Sequence, residues 1–424
     1  MIEEILESEN MKLSYARLKK NKGSAGIDRM DLSALSSYIK TNWKSLVREI
    51  KSNKYCPSSI LGVEIPKTNG KTRLLGIPTL LDRLMQQAVN QTLYPLFEPE
   101  FRKSNYGFRK GCSAHDAIKQ AHRNINEGFH EIIDIDLSNF FDEVEHVYLM
   151  ELLYSKVKCP VTLRLIRKWL KSPISINGKL KSRKKGIPQG SPLSPLLSNI
   201  VLTELDRELE KRGHRYVRYA DDFSIYLKSK RAARRVMRSI SSVIEDRLKL
   251  KINHEKSGIR RPSRFKILGY EFVPTYETGV RGKYQLVAGK EAWQRLKWKI
   301  KIITRKTSPL SFEERIKRLK LCQSGWLNYF NLASIREKLK VMDNWVRNRI
   351  RYCIWHNWKK PERKRKNLIR LGKTPRQAYA WSRTRMGGWA VACSPILKTT
   401  ITVKRLEARG YESMYKYYRK TSDA

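Results

Sequence analysis

The sequence predicts an α+β unit followed by a mainly α-helical one, and three observations carry that prediction. Charge and tryptophan are unevenly spread: from residue 281 onward 37 Lys and Arg face 9 acids, a net +28 over 144 residues, whereas the first 280 residues carry +20, and eight of the ten Trp lie beyond residue 290. Before residue 279, short apolar or alternating runs of strand length are interleaved with stretches of helical spacing, the order expected when helices cover one face of an antiparallel sheet. Beyond residue 290 the apolar period is helical. Gly279, Gly282 and Gly289 interrupt the run between the two regions and mark the divide.

In chain order, the first element is a hairpin. Val63 to Lys67 and Thr72 to Ile77 flank Thr68-Asn69-Gly70-Lys71, an Asn-Gly turn, and such a hairpin would project Lys67, Lys71 and Arg73. Strands are predicted over Ile132 to Leu137, Tyr216 to Ala220 and Phe223 to Leu227, with helices over Ser194 to Glu210 and Ser229 to Leu248. In the basic region, Glu291 to Ile303, Ser311 to Phe330 and Ile335 to Trp358 read as helices with Trp, Leu and Ile inside and basic outer faces. Lys359 to Arg365, with Pro361, marks a break before a last basic module. The expected division is therefore residues 1–285, 286–360 and 361–424.

At 424 residues the chain exceeds what one core usually serves. Its 88 Lys and Arg against 40 Asp and Glu leave +48, which calls for a polyanion partner. Nucleic acid is favoured over membrane, because no stretch approaches the roughly 20 apolar residues of a spanning helix and the N-terminal residues are acidic and polar. The six Cys are scattered without zinc-ligand spacing and no secretory signal precedes them, so reduced thiols in a cytoplasm are expected.

The chemistry centres on carboxylates. Asp221 and Asp222 fall between two apolar runs, at the tip of a predicted hairpin. On their own they read equally well as a polar turn or as part of a site. Asp136, which ends the apolar run Ile132 to Ile135, tips the balance, since another strand there would lie beside the hairpin. Facing carboxylates on a rigid sheet suit Mg²⁺, with Mn²⁺ as a substitute. Joining nucleotides is an in-line phosphoryl displacement in which one metal activates the primer hydroxyl and a second neutralises the leaving pyrophosphate. Asp136 and Asp221 are assigned as ligands bridging two ions, with Asp222 supporting them. Asp134, deeper in the run, is left out of the site, and Asp142 is read as a local cap or pair.

Tyr219-Ala220-Asp221-Asp222, preceded by Asp136-Leu137-Ser138-Asn139-Phe140-Phe141-Asp142 and by Gly186-Ile187-Pro188-Gln189-Gly190-Ser191-Pro192-Leu193-Ser194-Pro195, resembles the ordered core motifs of reverse transcriptases. Leu250 to Asn253 with Lys256, and Ile267 to Tyr270, look like the two motifs that follow the aspartate hairpin. Asn21 to Asp28 and Ser104 to Arg109 resemble the fingers of group II intron-encoded proteins, and Gly325-Trp326-Leu327-Asn328-Tyr329-Phe330 resembles their maturase domain. These motifs span most of the chain.

The resemblance implies a right-hand polymerase, fingers and palm with an antiparallel sheet and helices, followed by an α-helical thumb and maturase domain. It implies that Lys67 and Arg73 contact an incoming deoxynucleoside triphosphate, that Gln189 shapes the pocket, that Lys256 sits near the triphosphate, and that Phe140 blocks a ribose 2′-hydroxyl, with Phe141 as core. The helix from Glu291, carrying Arg295, Lys297, Lys299 and Lys301, would clasp an RNA/DNA duplex, and Arg347 and Arg351 would add charge on a following helix. A-form duplexes are held through phosphates and 2′-hydroxyls. Trp293 and Trp298 are expected to pack against helices rather than stack on bases.

The implied partners are an RNA template, a cognate intron RNA, target DNA and deoxynucleotides, with splicing and mobility as roles, in a bacterial cytoplasm. No nuclease motif of the His/Asn type and no paired Cys motif is found near the end, as in group IIC-like members lacking an endonuclease, so mobility would need another source of primer. The competing readings are a splicing factor with a vestigial polymerase site and a retron or defence-type reverse transcriptase.

Overall fold

The computed structural model describes residues 1–66, 70, 72–276 and 282–422. Lys67, Lys71 and the Asn-Gly turn between them, apart from Gly70, lie outside the described residues, as do residues 277–281. The chain forms two compact units, Met1–Arg261 and Pro262–Ala424.

The strands of the first unit are β1 (Ile60–Pro66), β2 (Thr72–Ile77), β3 (Glu131–Ile135), β4 (Ile174–Ile176), β5 (Lys179–Lys181), β6 (Arg215–Tyr219), β7 (Asp222–Leu227) and β8 (Gly258–Arg260). They make two four-stranded sheets, ordered β2-β1-β4-β5 and β6-β7-β3-β8. In the first, β1 and β2 form the expected hairpin, Leu61 opposite Ile77 through Pro66 opposite Thr72, and β4 joins β1 in parallel.

The second sheet is antiparallel throughout, and its central strands explain its patterning. Ile132, Ile133 and Ile135 of β3 and Phe223, Ile225 and Leu227 of β7 are all buried. Apart from Ile132, which lies on the other face of the sheet, these residues cluster with those of helices Leu80–Phe97 and Ser194–Lys211 in one core that runs from Ile2 to Ile252. Ser194–Lys211 is buried on nearly every face, which is why its sequence is apolar beyond one stripe. The helix expected over 229–248 runs as Lys230–Ser242 and loosens into a wider turn at Val243–Arg247.

In the second unit β9 (Lys266–Ile267), β10 (Tyr270–Pro274) and β11 (Tyr284–Ala288) form a small antiparallel sheet. Helices Lys290–Ile303, Phe312–Tyr329 and Arg336–Asn357 follow, within two residues of their expected bounds. The segment Gly325 to Phe330 is an aromatic joint: Trp326 lies 4.5 Å from Trp293 and 4.6 Å from Phe330, and Phe330 lies 5.0 Å from Tyr270 of β10. The Tyr329 hydroxyl donates to Leu268 O at 2.8 Å.

That joint moves the divide. Composition placed it at 279–289, whereas the units separate after Arg261, because β9 to β11 pair with one another and pack on the helices that follow. Residues 361–424, expected as a separate module, belong to this same unit. The reason is Asp343, buried at 2 % exposure on Arg336–Asn357, which accepts from Tyr411 Oη (2.8 Å), Ser413 Oγ (2.6 Å), Met414 N (2.8 Å) and Tyr415 N (3.0 Å). It thereby caps the last helix, Met414–Ser422, from another element.

Candidate active site

The register of the second sheet brings the predicted aspartates together. β3 and β7 pair with Asp134 opposite Ser224 and Ile135 opposite Phe223, so the next residue, Asp136, comes across from Asp222. Directly opposed residues share a face of the sheet, and Asp134, two residues earlier, projects to that face as well. β6 and β7 pair with Tyr219 opposite Asp222, leaving Ala220 and Asp221 as a two-residue tip. Ala220 takes the left-handed backbone, φ 59°, that such a tight turn requires.

Desolvation by the surrounding chain, then the charges of Asp221, Asp136 and Asp134, push the carboxyl of the solvent-facing Asp222 up to about 6, with Lys256 opposing. Asp136 is clamped by the segment after the hairpin: its N–H donates to Ser257 Oγ (3.0 Å), its carbonyl accepts from Asn253 N (2.8 Å), and Oδ2 accepts from Asn253 Nδ2 (3.0 Å) and lies 3.2 Å from Lys256 Nζ. Asp134 pairs with Arg260 Nε of β8 at 2.8 Å.

Among the described residues no three His, Cys, Asp or Glu converge closely enough to enclose a metal ion. The donor set nevertheless fits a hard divalent cation: only carboxylate oxygens, borne at one end of a sheet, with Asp222 raised first by desolvation and then by like charges that a cation would neutralise. Asp136, Asp221 and Asp222 are the residues that would hold it.

A second cluster joins Arg73 and Gln189, two residues expected from sequence at a nucleotide pocket. Arg73 on β2 donates from Nε to Gln189 Oε1 at 2.5 Å, and Gly76 N donates to Gln189 O at 2.7 Å. Gly190 must be glycine here: its φ is 118° and a Cβ would stand 2.5 Å from Gly76 O. Asp142, read from sequence as a local pair, is pushed up by burial and opposed by Arg183 and Arg73. Phe140 requires correction. It is 2 % exposed, enclosed in the core with its ring edge-on to Phe141 at 5.3 Å, and offers no surface to a ribose.

Residues 65–272 match the family described as reverse transcriptase (RNA-dependent DNA polymerase), and residues 293–372 match the group II intron maturase-specific domain. Protein YkfC of Escherichia coli is 30% identical over 287 residues, covering 58% of this chain and 75% of that protein. The chain belongs to the group II intron reverse transcriptases. The group II intron-encoded protein LtrA of Lactococcus lactis is 29% identical over 61% of this chain and 54% of its own length, so the chain spans about half of that relative. Retron Mx65 reverse transcriptase of Myxococcus xanthus is 26% identical over 46% of this chain and 47% of its own length.

In this reverse transcriptase the maturase-specific match covers the basic helices, and there the expected residues separate into two kinds. Arg295, Lys297, Lys299 and Lys301 lie exposed along Lys290–Ile303, Arg295 reaching Glu291 at 3.6 Å. Trp293 is buried as expected, but Trp298 is 62 % exposed on the same helix and does not pack. Arg351 is a second correction. At 3 % exposure it donates from Nε to Ile401 O (2.9 Å) and from Nη1 to Asn348 Oδ1 (2.8 Å), a structural role created because its helix is surrounded by later elements. Arg347, half-buried, leans toward Tyr411. Asn253, Ser257 and Asp134 were missed as site residues; the signal available was the polar Asn253-His254-Glu255-Lys256-Ser257 run directly after Leu250-Lys251-Ile252. No described helix is long and apolar enough to cross a membrane, and all six Cys are free thiols.

Proposed function

We propose that the first unit supplies fingers and palm and joins deoxynucleotides to a primer along an RNA template. The observation that carries this reading is the β3–β7 register, which sets Asp136 across from Asp222 with Asp221 beside it at the hairpin tip. Asp136 and Asp221, with Asp222 supporting, would hold Mg²⁺, which when bound would supply activation of the primer hydroxyl and neutralisation of the pyrophosphate. The protein's own part is positioning: the sheet fixes the carboxylates, and Asn253 orients Asp136 through its amide.

Arg73 and Gln189 receive the incoming triphosphate and base, Arg73 through charge-assisted hydrogen bonds to phosphate, and Lys67 belongs with them. Lys256 neutralises charge at Asp136 before substrate enters and turns to the triphosphate afterwards. The aromatic that meets the ribose is Phe141: it keeps more solvent access than Phe140, and its carbonyl accepts from Ile187 N in the segment that carries Gln189.

The second unit, thumb and maturase together, holds RNA and the RNA/DNA duplex through the exposed cations Arg295, Lys297, Lys299 and Lys301, with Arg347 at the edge. Similarity to group II intron-encoded proteins supports intron RNA as the cognate partner, with splicing, target-DNA binding and mobility as roles in a bacterial cytoplasm. Primer extension on an RNA template with Mg²⁺ tests the site: Asp221→Asn loses incorporation, and equal incorporation by the variant and the wild type would refute the assignment.

A further inference from the structure

The tip that bears Asp221 rests on a buried polar bracket that no catalytic motif identifies. Arg218, the penultimate residue of β6, is fully buried, and so is its partner Asp206 on helix Ser194–Lys211. Its guanidinium spends every arm locally. Nε donates to Asp206 Oδ1 at 2.8 Å and to Oδ2 at 3.1 Å, Nη2 donates to Asp206 Oδ2, and Nη1 donates both to Asn199 Oδ1 (3.0 Å) and to Ala220 O (3.1 Å). The last bond is to the residue immediately before Asp221.

Asn199 extends the bracket to the other side of the tip. Its Nδ2 donates to Gly107 O at 2.9 Å, and its Oδ1 also accepts from Asn105 Nδ2 at 3.3 Å. The Asn105 segment runs beside β6, with Tyr106 N donating to Arg218 O and Arg218 N to Ser104 O, both at 2.9 Å. Gly107 is thereby pressed so close that a Cβ would lie 2.1 Å from Ala220 N. Backbone therefore supports the tip from one side and the Arg218 guanidinium holds its carbonyl from the other.

We propose that Arg218, Asp206 and Asn199 are positioning residues of the polymerase centre, fixing the left-handed Ala220 so that the Asp221 carboxylate is held ready for a divalent cation. A buried ion pair is a costly way to stabilise a sheet, because desolvation offsets most of the attraction. One whose remaining donors reach the peptide preceding a catalytic carboxylate gains its purpose from geometry, as the hydrogen-bonded supports of metal ligands do. This inference rests on the assignment of Asp221 as a metal ligand.

The test compares Arg218→Lys, Asn199→Ser and Asp221→Asn in the full chain. Lysine keeps the charge opposite Asp206 but cannot reach Asp206, Asn199 and Ala220 O together. Mn²⁺ binding is read by electron paramagnetic resonance without nucleotide, and primer extension gives kcat and KM for deoxynucleotide. Arg218→Lys and Asn199→Ser are expected to weaken Mn²⁺ binding by about 10- to 100-fold and to lower kcat by up to about 100-fold, with KM little changed. If Asp221→Asn loses Mn²⁺ binding and activity while both bracket variants retain them, the positioning role is overturned and the site assignment stands. If Asp221→Asn retains both, the site assignment itself falls. Should Arg218→Lys fail to fold, Asn199→Ser, which leaves the ion pair intact, decides the matter alone.

Discussion

Asp343→Asn offers a measurable account of what ties the last helix to the second unit. The carboxylate accepts four hydrogen bonds, from Tyr411, Ser413 and the amides of Met414 and Tyr415. An asparagine oxygen serves two of those donors, and its amide group turns two further hydrogens toward the rest. Hydrogen bonds to a charged acceptor contribute about 1.5–3 kcal/mol each, so losing two removes about 3–5 kcal/mol, the bonds not being fully additive. The loss falls on the segment from Tyr411 onward, which opens locally while the remainder of the unit keeps its core. At about 1.4 kcal/mol per factor of ten, the Met414 and Tyr415 amides should exchange at least about 100-fold faster with deuterium. Exchange monitored by mass spectrometry over 411–422 checks this. Unchanged protection there, in a variant of normal fold, would show that the cap contributes no local stability and would refute the reasoning.

Other perturbations separate the roles of neighbouring residues. Arg73→Ala, removing a charged phosphate contact of about 1.5–3 kcal/mol, should raise the KM for deoxynucleotide by roughly 10- to 100-fold while RNA affinity holds; an unchanged KM removes Arg73 from the pocket. Phe140→Ala should cost about 3–5 kcal/mol of stability, seen as a lowered Tm, and leave discrimination against ribonucleotides intact in the folded fraction; ribonucleotide incorporation by that variant would restore Phe140 to the ribose contact in place of Phe141. The double variant Lys297→Ala/Lys301→Ala should reduce the dependence of log affinity for RNA on log salt by about 2, whereas Arg351→Ala should lower Tm and leave that slope unaltered. A reduced slope for Arg351→Ala would return it to the RNA surface.

The sequence was most legible where a side chain's period and its environment agree. The β6–β7 hairpin with Asp221 at its tip followed from two apolar runs around a polar pair, and the three long basic helices followed from their apolar stripes. It was least legible where a charge is buried. Arg218 and Asp206 stand among other charged residues on β6 and helix Ser194–Lys211, and nothing in the spacing of those charges marks these two as the pair that meets in the interior. Arg351 sits at a spacing that suggests an outer face, yet residues 50 positions later close over it. Phe140 and Phe141 are adjacent aromatics that no periodicity distinguishes, and their unequal enclosure depends on tertiary packing. The divide between units was misplaced because composition changes at the start of the helices, whereas the contacts change where β9 to β11 begin.

The position of β3 in its sheet has a consequence for synthesis. It is a central strand, yet both neighbours, β7 at Asp222–Leu227 and β8 at Gly258–Arg260, are made after it. While the ribosome works through that interval, Ile132, Ile133 and Ile135 belong to a strand with two open edges, the kind of surface that recruits other chains. A nascent or truncated chain ending before Gly258 keeps one of those edges. Expression of the first unit alone should therefore run through Arg260, and dependence on chaperones should fall sharply once that residue has emerged.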